Sequence, residues 1–228
     1  PCLQRIEGPR MAAGKIRLKT LSVSLLAILL IEGALQLVLS VYSPQTMVAL
    51  GIARVLEAAA LISIVRQFST GAGAVGLTRC GLVDGCRRGL IWSAGFGLIA
   101  AVILSILLGI GADPLAYLRV PMPATTVDVI LLFCVAGVLS PVAEEIFFRG
   151  ILYGYFRRWG ISAAVILSTL LFGIAHGGGS QVPVTQMVGG MVFAVAYEIE
   201  DNLMVPITIH VLGNTAIYTV GYVLQFGG

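Results

Sequence analysis

The sequence has few of the charged residues that a water-soluble domain needs on its surface. Only 11% of its 228 residues are charged and 58% are hydrophobic, whereas soluble domains carry about 25% charged residues. This composition excludes a soluble enzyme and predicts an all-α, polytopic bundle of membrane helices in one integral domain. The net charge of +3 is small, and the basic residues lie near the ends of apolar runs. That distribution is typical of membrane topology rather than of nucleic-acid binding.

Cysteine and histidine are scarce as well. The four cysteines show no metal-ligand spacing, and we expect them to be free thiols. The chain has two histidines, so a site that uses imidazole chemistry must use His176, His210 or both.

Seven apolar spans follow one another along the chain. A helix needs about 20 apolar residues to cross the hydrocarbon of a bilayer. The fifth and sixth spans are short, so a total of six to eight crossings fits the pattern. The fourth span is longer than one crossing requires, and we expect it to tilt or to extend beyond the bilayer. The spans lie at about 20–42, 46–66, 89–110, 125–157, 161–176, 183–199 and 203–225.

The sequence divides into three parts. Residues 1–19 form an N-terminal tail, of which 1–10 resemble a remnant of expression cloning. Residues 20–124 hold the N-terminal transmembrane helices and an amphipathic segment, 76–90, which we expect at the cytoplasmic interface. Residues 125–228 form the transmembrane core that carries the candidate catalytic groups.

Lysine and arginine predict the orientation in the membrane. They cluster before the first span, around the loop after the second and at the end of the fourth. In a seven-span chain these ends share one side, and the positive-inside rule places it, with the N-terminus, in the cytoplasm. The residues are Lys15, Arg17, Lys19, Arg66, Arg79, Arg87, Arg88, Arg157 and Arg158.

Charged residues also occur inside the spans, where they are costly and usually serve a function. The stretch SPVAEEIFFRG, residues 140–150, holds Glu144, Glu145 and Arg149. Glu145 and Arg149 are four apart and can pair along a helix, either to support a site or as a self-neutralising structural pair. Glu144 is rotated by about 100° from Glu145, so we expect the two carboxylates to have different roles.

A second charged group lies in the first two spans. Antiparallel packing of these spans would bring Glu32, Arg54 and Glu57 to similar depth. We interpret them as a structural cluster in which Arg54 offsets the carboxylates, with substrate binding as the alternative.

Polar groups of three later spans are expected to meet. Glu144 lies roughly 20 Å up the fourth span from the turn at 158–160, and His176 roughly 24 Å up the fifth. His210 and Asn214 are four apart in the last span and therefore share a helix face. Tilting of the helices would bring all four side chains together within the bilayer.

These four side chains can hydrolyse a peptide bond. A carboxylate in a low-dielectric pocket is a competent general base, which suits Glu144. A neighbouring imidazole, His176, can orient the attacking water or shuttle its proton. His210 and Asn214 can donate hydrogen bonds to the oxyanion of the tetrahedral intermediate.

Zinc is the alternative to a bare glutamate. One glutamate and two histidines form a known catalytic ligand set, so Glu144, His176 and His210 could bind the ion. The sequence contains no HExxH motif, and no obvious third ligand remains if Glu144 acts as the base. We therefore expect no cofactor, with zinc left open.

Three motifs resemble those of the CAAX-protease and bacteriocin-processing family of intramembrane proteases, also called the Abi family. EEIFFRG resembles the EExxxR motif of that family. FGIAH resembles its FxxxH motif through Phe172 and His176, and HVLGN its HxxxN motif through His210 and Asn214. The motifs follow the order and spacing of the family over about residues 125–220, whereas the first three spans carry no family signature.

This resemblance implies a glutamate-dependent endopeptidase in a helical membrane core, with Glu144 activating water. Eukaryotic relatives cut the last three residues from prenylated CAAX proteins. Bacterial relatives process peptides, confer immunity to bacteriocins or serve sorting systems. The compact length favours a prokaryotic protein of the cell (inner) membrane that acts on a membrane-associated peptide or protein. The other active-site positions fall on His176, His210 and Asn214, and the supporting positions on Glu145, Arg149 and Phe172.

Two interpretations without proteolysis stay open. An immunity factor or scaffold would need none of the catalytic groups, and its cellular effect would survive the loss of Glu144 and His210. A transporter of protons or small solutes could use the same buried charges, although no inverted repeat is visible in the sequence.

Overall fold

The computed structural model describes residues 16–42, 45–114, 120–177 and 183–227. Within these residues all regular structure is helical, and the predicted helical membrane bundle is confirmed. Two short 3-10 turns, Ala72–Val75 and Arg79–Gly81, precede the third helix. The helices are α1 (Leu18–Tyr42), α2 (Thr46–Phe68), α3 (Leu82–Gly109), α4 (Thr126–Trp159), α5 (Ile161–His176), α6 (Val184–Glu200) and α7 (Met204–Phe226).

Five of these helices, α1 to α4 and α7, are long and apolar enough to cross a membrane. The α5 helix is apolar but has 16 residues, and it rises only about 24 Å against about 30 Å of hydrocarbon. The α6 helix is similar, with 17 residues. With the five long helices, crossing by one or both of these short helices gives six or seven spans, within the predicted range of six to eight.

Two expectations about the N-terminal half need comment. The residues interpreted as a cloning remnant, 1–10, lie outside the described residues. The second half of the amphipathic segment predicted at 76–90 forms the first turns of α3. Gly85 and Gly89 are buried against α7 there, while Val83 on the opposite face is exposed. The position of this segment at the cytoplasmic interface stays a prediction.

The α4 helix lies at the centre of the bundle and packs against α1, α2, α5, α6 and α7. Its axis is not regular, because two π-helical stretches, Val135–Leu139 and Ile146–Tyr153, flank a short α-helical segment, Ser140–Glu145. Such wide turns often occur at functional sites. Here they enclose the segment that carries both adjacent glutamates.

Ion pairs join the helices at the end of the bundle where α4 and α6 terminate. Arg157 of α4 binds Glu198 of α6 at 2.8 and 2.9 Å, and Tyr153 donates a third hydrogen bond to Glu198. Arg88 of α3 donates to Glu200 of α6 at 2.7 Å. These contacts bind both α3 and α4 to α6 and thereby fix the position of α6 beside the central helix α4.

The contact between α3 and α7 depends on glycine. A Cβ atom added at Gly89 would lie 2.5 Å from Thr208 Cβ of α7, which is far inside van der Waals contact. We expect Gly89→Ala to force the two helices apart and to cost about 1–3 kcal/mol, as overpacking does elsewhere. Thermal unfolding in detergent measures this loss.

The matched control for that variant is Gly95→Ala on the same helix. A Cβ atom at Gly95 meets nothing within 4 Å, so this change should leave the melting temperature unchanged or raise it slightly, because alanine favours helix. Equal melting temperatures for the two variants would contradict close packing of α3 on α7.

Candidate active site

Three side chains from three helices converge at one carboxylate oxygen. Glu144 Oε2 of α4 lies 3.5 Å from Nε2 of His176 at the end of α5. The same oxygen lies 3.8 Å from Nε2 of His210 on α7. The structure therefore brings these three side chains together.

The second nitrogen of each imidazole fixes which ring atom faces Glu144. His176 Nδ1 lies 2.9 Å from the Phe172 carbonyl, which can only accept a hydrogen bond, so Nδ1 carries the hydrogen. His210 Nδ1 lies 2.8 Å from the Glu145 carboxylate and is a donor for the same reason. In their neutral forms both rings therefore turn an Nε2 lone pair toward Glu144.

Three acceptor atoms thus meet without a donor between them. Glu144 Oε2 is buried and has no hydrogen-bond partner among the described residues, and buried carboxylate oxygens normally have one. A proton shared among Glu144, His176 and His210, or the hydrogens of a water molecule, satisfies such a set. The arrangement is suited to moving protons between a carboxylate and two imidazoles.

The adjacent glutamate has a different environment. Glu145 and Arg149 are fully buried and form an ion pair at 2.8 Å, as their spacing predicts. Glu145 Oε1 accepts from both Arg149 and His210, so one oxygen holds the guanidinium and one imidazole. Arg149 also donates to the Gly190 carbonyl of α6 at 3.1 Å. Its guanidinium lies 4.5 Å from the centre of the Phe172 ring, a distance at which cation–π attraction operates.

The site opens into a cavity of about 510 Å³, called the front cavity below. Asn214 lines it, and its amide nitrogen donates to the Ala136 carbonyl in the first wide turn of α4 at 3.0 Å. An amide has two N–H groups, so one remains for a ligand. Polar residues on the cavity wall are Ser140, Glu144, His176, Thr185, Gln186, His210, Asn214 and Tyr218.

All seven residues singled out from the sequence lie in or beside this cavity. Five of them line it directly, and the backbone carbonyl of one, Phe172, also accepts the hydrogen bond from His176. Glu145 and Arg149 lie behind the wall and hold His210 and α6. The five lining residues are Glu144, Phe172, His176, His210 and Asn214.

Some contributors to the site were not found from the sequence. Ser140 is four residues before Glu144, and Tyr218 is four residues after Asn214, so helical spacing could have placed both on the cavity wall. The stacking of Phe193 on His210, with ring centres 4.6 Å apart, has no sequence signal. The same holds for the bond between Glu145 and His210, because it depends on how α4 and α7 are rotated.

The fit of a metal ion can be tested on the same atoms. Within the residues that the structure describes, no group of three or more His, Cys, Asp or Glu side chains has the arrangement of a metal site. Zinc requires its ligands about 2.0–2.2 Å from the ion. The expectation that Glu144, His176 and His210 hold no zinc stays a prediction.

Fold and site together define a polytopic helical membrane protein with a partly buried glutamate–histidine centre. Residues 126–216 match the family model described as "Type II CAAX prenyl endopeptidase Rce1-like". This segment holds all seven candidate site residues, and the match confirms the resemblance seen in the motifs.

One curated relative and the solved structures were also compared. The chain is 28% identical over 151 residues to the protein named "Putative membrane peptidase YdiL" of Bacillus subtilis (strain 168). The match covers 61% of this chain and 59% of that protein, so the chain spans about three fifths of the length of this relative. No solved structure matches significantly.

The buried ion pair gives a test of how the site is held. Arg149→Met leaves the Glu145 carboxylate buried without its cation, and we expect a loss of about 3–5 kcal/mol in the free energy of unfolding. The double variant Glu145→Gln/Arg149→Met removes both charges and should regain most of that stability. Thermal unfolding of both proteins in detergent measures the difference. If the double variant is as unstable as the single one, charge pairing is not what stabilises this position.

Proposed function

We propose that the protein is an intramembrane endopeptidase that hydrolyses a peptide bond of a membrane-associated peptide or protein. The observation that carries this proposal is the position of Glu144, whose Oε2 lies within 3.5 and 3.8 Å of two imidazole nitrogens inside a bundle of apolar helices. Two comparisons support it: residues 126–216 match an endopeptidase family, and the Bacillus subtilis relative is named as a membrane peptidase.

In the proposed reaction the substrate carbonyl lies in the front cavity. Glu144 removes a proton from a water molecule, and the water oxygen attacks the carbonyl carbon to form a tetrahedral intermediate. Collapse of the intermediate breaks the C–N bond, and the proton taken by Glu144 passes to the leaving nitrogen. His176, at 3.5 Å from Glu144, orients the water and assists this transfer.

The proposed oxyanion donors are His210 and Asn214. His210 can donate through Nε2 only when both ring nitrogens carry hydrogen, because Nδ1 already donates to the Glu145 carboxylate. Asn214 donates through the amide hydrogen that Ala136 does not use. Preorganised donors of this type contribute most in a site from which water is excluded.

We further propose that the protein lies in the cell (inner) membrane of a prokaryote with its N-terminus in the cytoplasm. The basic residues support this orientation, because Lys19, Arg66 and Arg157 lie at ends of α1, α2 and α4 that share one side of an antiparallel bundle. The ion-paired ends of α4 and α6 are then cytoplasmic.

Replacement of the proposed base tests the mechanism. Glu144→Gln keeps the size of the side chain but cannot accept a proton, so we expect cleavage of a membrane peptide substrate to fall about 10²–10⁴-fold. Quantitative proteomics of membranes carrying the wild type or this variant identifies a substrate, and cleavage in vesicles measures the rate. Glu200→Gln is the control and should retain activity, because Glu200 does not line the front cavity but a separate pocket beside Arg88 and Trp92. Full activity of Glu144→Gln would rule out this residue as the base.

A separate experiment tests whether catalysis depends on zinc. We propose catalysis by glutamate without zinc, so dialysis against a strong chelator should leave the cleavage rate unchanged. Elemental analysis of the purified protein should find well below one zinc ion per chain. Loss of activity in chelator, with recovery on adding zinc, would instead support a site on Glu144, His176 and His210.

A further inference from the structure

A second cavity lies on the other side of Glu144. It has a volume of about 360 Å³, at the lower end of the range for ligand pockets, about 300–1,000 Å³. We call it the rear cavity. Side chains of α1, α2, α4 and α5 line it, whereas the front cavity is lined mainly by α4 to α7. Glu144 and His176 are the residues that line both cavities. The two catalytic candidates therefore form a wall between two chambers.

The wall of the rear cavity carries the charged cluster of the first two helices. Arg54 donates one hydrogen bond to Glu57 and another to Glu32, so the predicted pairing of these residues is confirmed. The role that the sequence suggested for them was structural. They line the same cavity as Glu144 and His176, a position that a purely structural cluster between α1 and α2 would not need.

Exposure of these side chains changes along the cavity. The Glu32 side chain is 33% exposed, that of Arg54 18% and that of Glu57 3%. Exposed carboxylates and guanidinium groups are not stable against hydrocarbon, and within membrane spans they usually face a water-filled cavity. Glu57 Oε1 is buried and has no hydrogen-bond partner among the described residues, which leaves an acceptor that water can satisfy.

From these observations we propose that the rear cavity holds water and delivers the hydrolytic water molecule to Glu144, while the peptide occupies the front cavity. Each turnover consumes one water molecule, whose oxygen ends in the new carboxylate. A peptide that fills the front cavity blocks the approach of water from that side. The rear cavity lets water reach the Glu144 carboxylate while the peptide stays bound. This proposal rests on the proposed function, but the presence of water in the cavity can be tested without it.

Cysteine labelling tests the water content. In a protein whose four native cysteines are replaced by serine, Ile28→Cys places a thiol on the rear cavity and Leu29→Cys places one on the outer face of the same helix, where Leu29 is 68% exposed. A methanethiosulfonate with a trimethylammonium group reacts with thiolate, which forms in water. We expect the Ile28→Cys thiol to react at least about ten-fold faster than the Leu29→Cys thiol. Equal rates would overturn the proposal whether or not the protein is a peptidase.

The labelled protein tests delivery to Glu144. The attached group fills part of the rear cavity, so we expect kcat to fall several-fold while KM for the peptide stays unchanged. Cleavage of the mixed disulfide with dithiothreitol should restore kcat, and labelling of Leu29→Cys should change neither constant. A rise in KM, or protection of Ile28→Cys from labelling by saturating peptide, would show that substrate occupies the rear cavity and would overturn the proposal.

Discussion

The arrangement of the site depends on the buried ion pair between Glu145 and Arg149. A charge enclosed in apolar protein is costly unless it is paired and hydrogen-bonded. Glu145 and Arg149 pair with each other and find further partners on neighbouring helices, which leaves Glu145 Oε2 and Arg149 Nε without a hydrogen bond among the described residues. Arg149 binds the Gly190 carbonyl of α6 and packs on the Phe172 ring of α5. Glu145 binds His210 of α7. The ion pair thereby holds α4, α5, α6 and α7 together and positions the candidate catalytic groups that these helices carry.

The ion pair also explains how two adjacent glutamates have different roles. Successive residues on a helix point about 100° apart, so Glu145 faces the interior while Glu144 faces the cavities. Both reach His210, one at each ring nitrogen. The partner on Nδ1 fixes the orientation of the imidazole, and Nε2 is left for chemistry with Glu144. Such support of a functional histidine by a carboxylate is a general device in catalytic sites.

The sequence carried the information that is local to one helix. Apolar runs gave the helix ends within about two residues, except that α3 begins at Leu82 rather than at 89. Four-residue spacing gave the pairing of Glu145 with Arg149. Contacts between helices could not be predicted from local spacing, because packing sets the rotation of each helix about its axis. The wide turns Val135–Leu139 and Ile146–Tyr153 alter the register of α4 on both sides of Glu144. The bond between Glu145 and His210 and the shared wall of the two cavities could not be derived for this reason.

The need for water at Glu144 also explains why α1 and α2 carry charged residues. A peptidase inside a bilayer must bring water to a carboxylate that the surrounding helices keep from bulk solvent. Burying Glu32, Arg54 and Glu57 only to neutralise one another would add cost without contact with the site, since apolar side chains pack two helices equally well. Placed on a cavity that ends at Glu144 and His176, the same three side chains keep a polar surface next to the proposed base. In the proposed mechanism, the half of the chain that carries no family motif thereby supplies the water that the motif-bearing half needs.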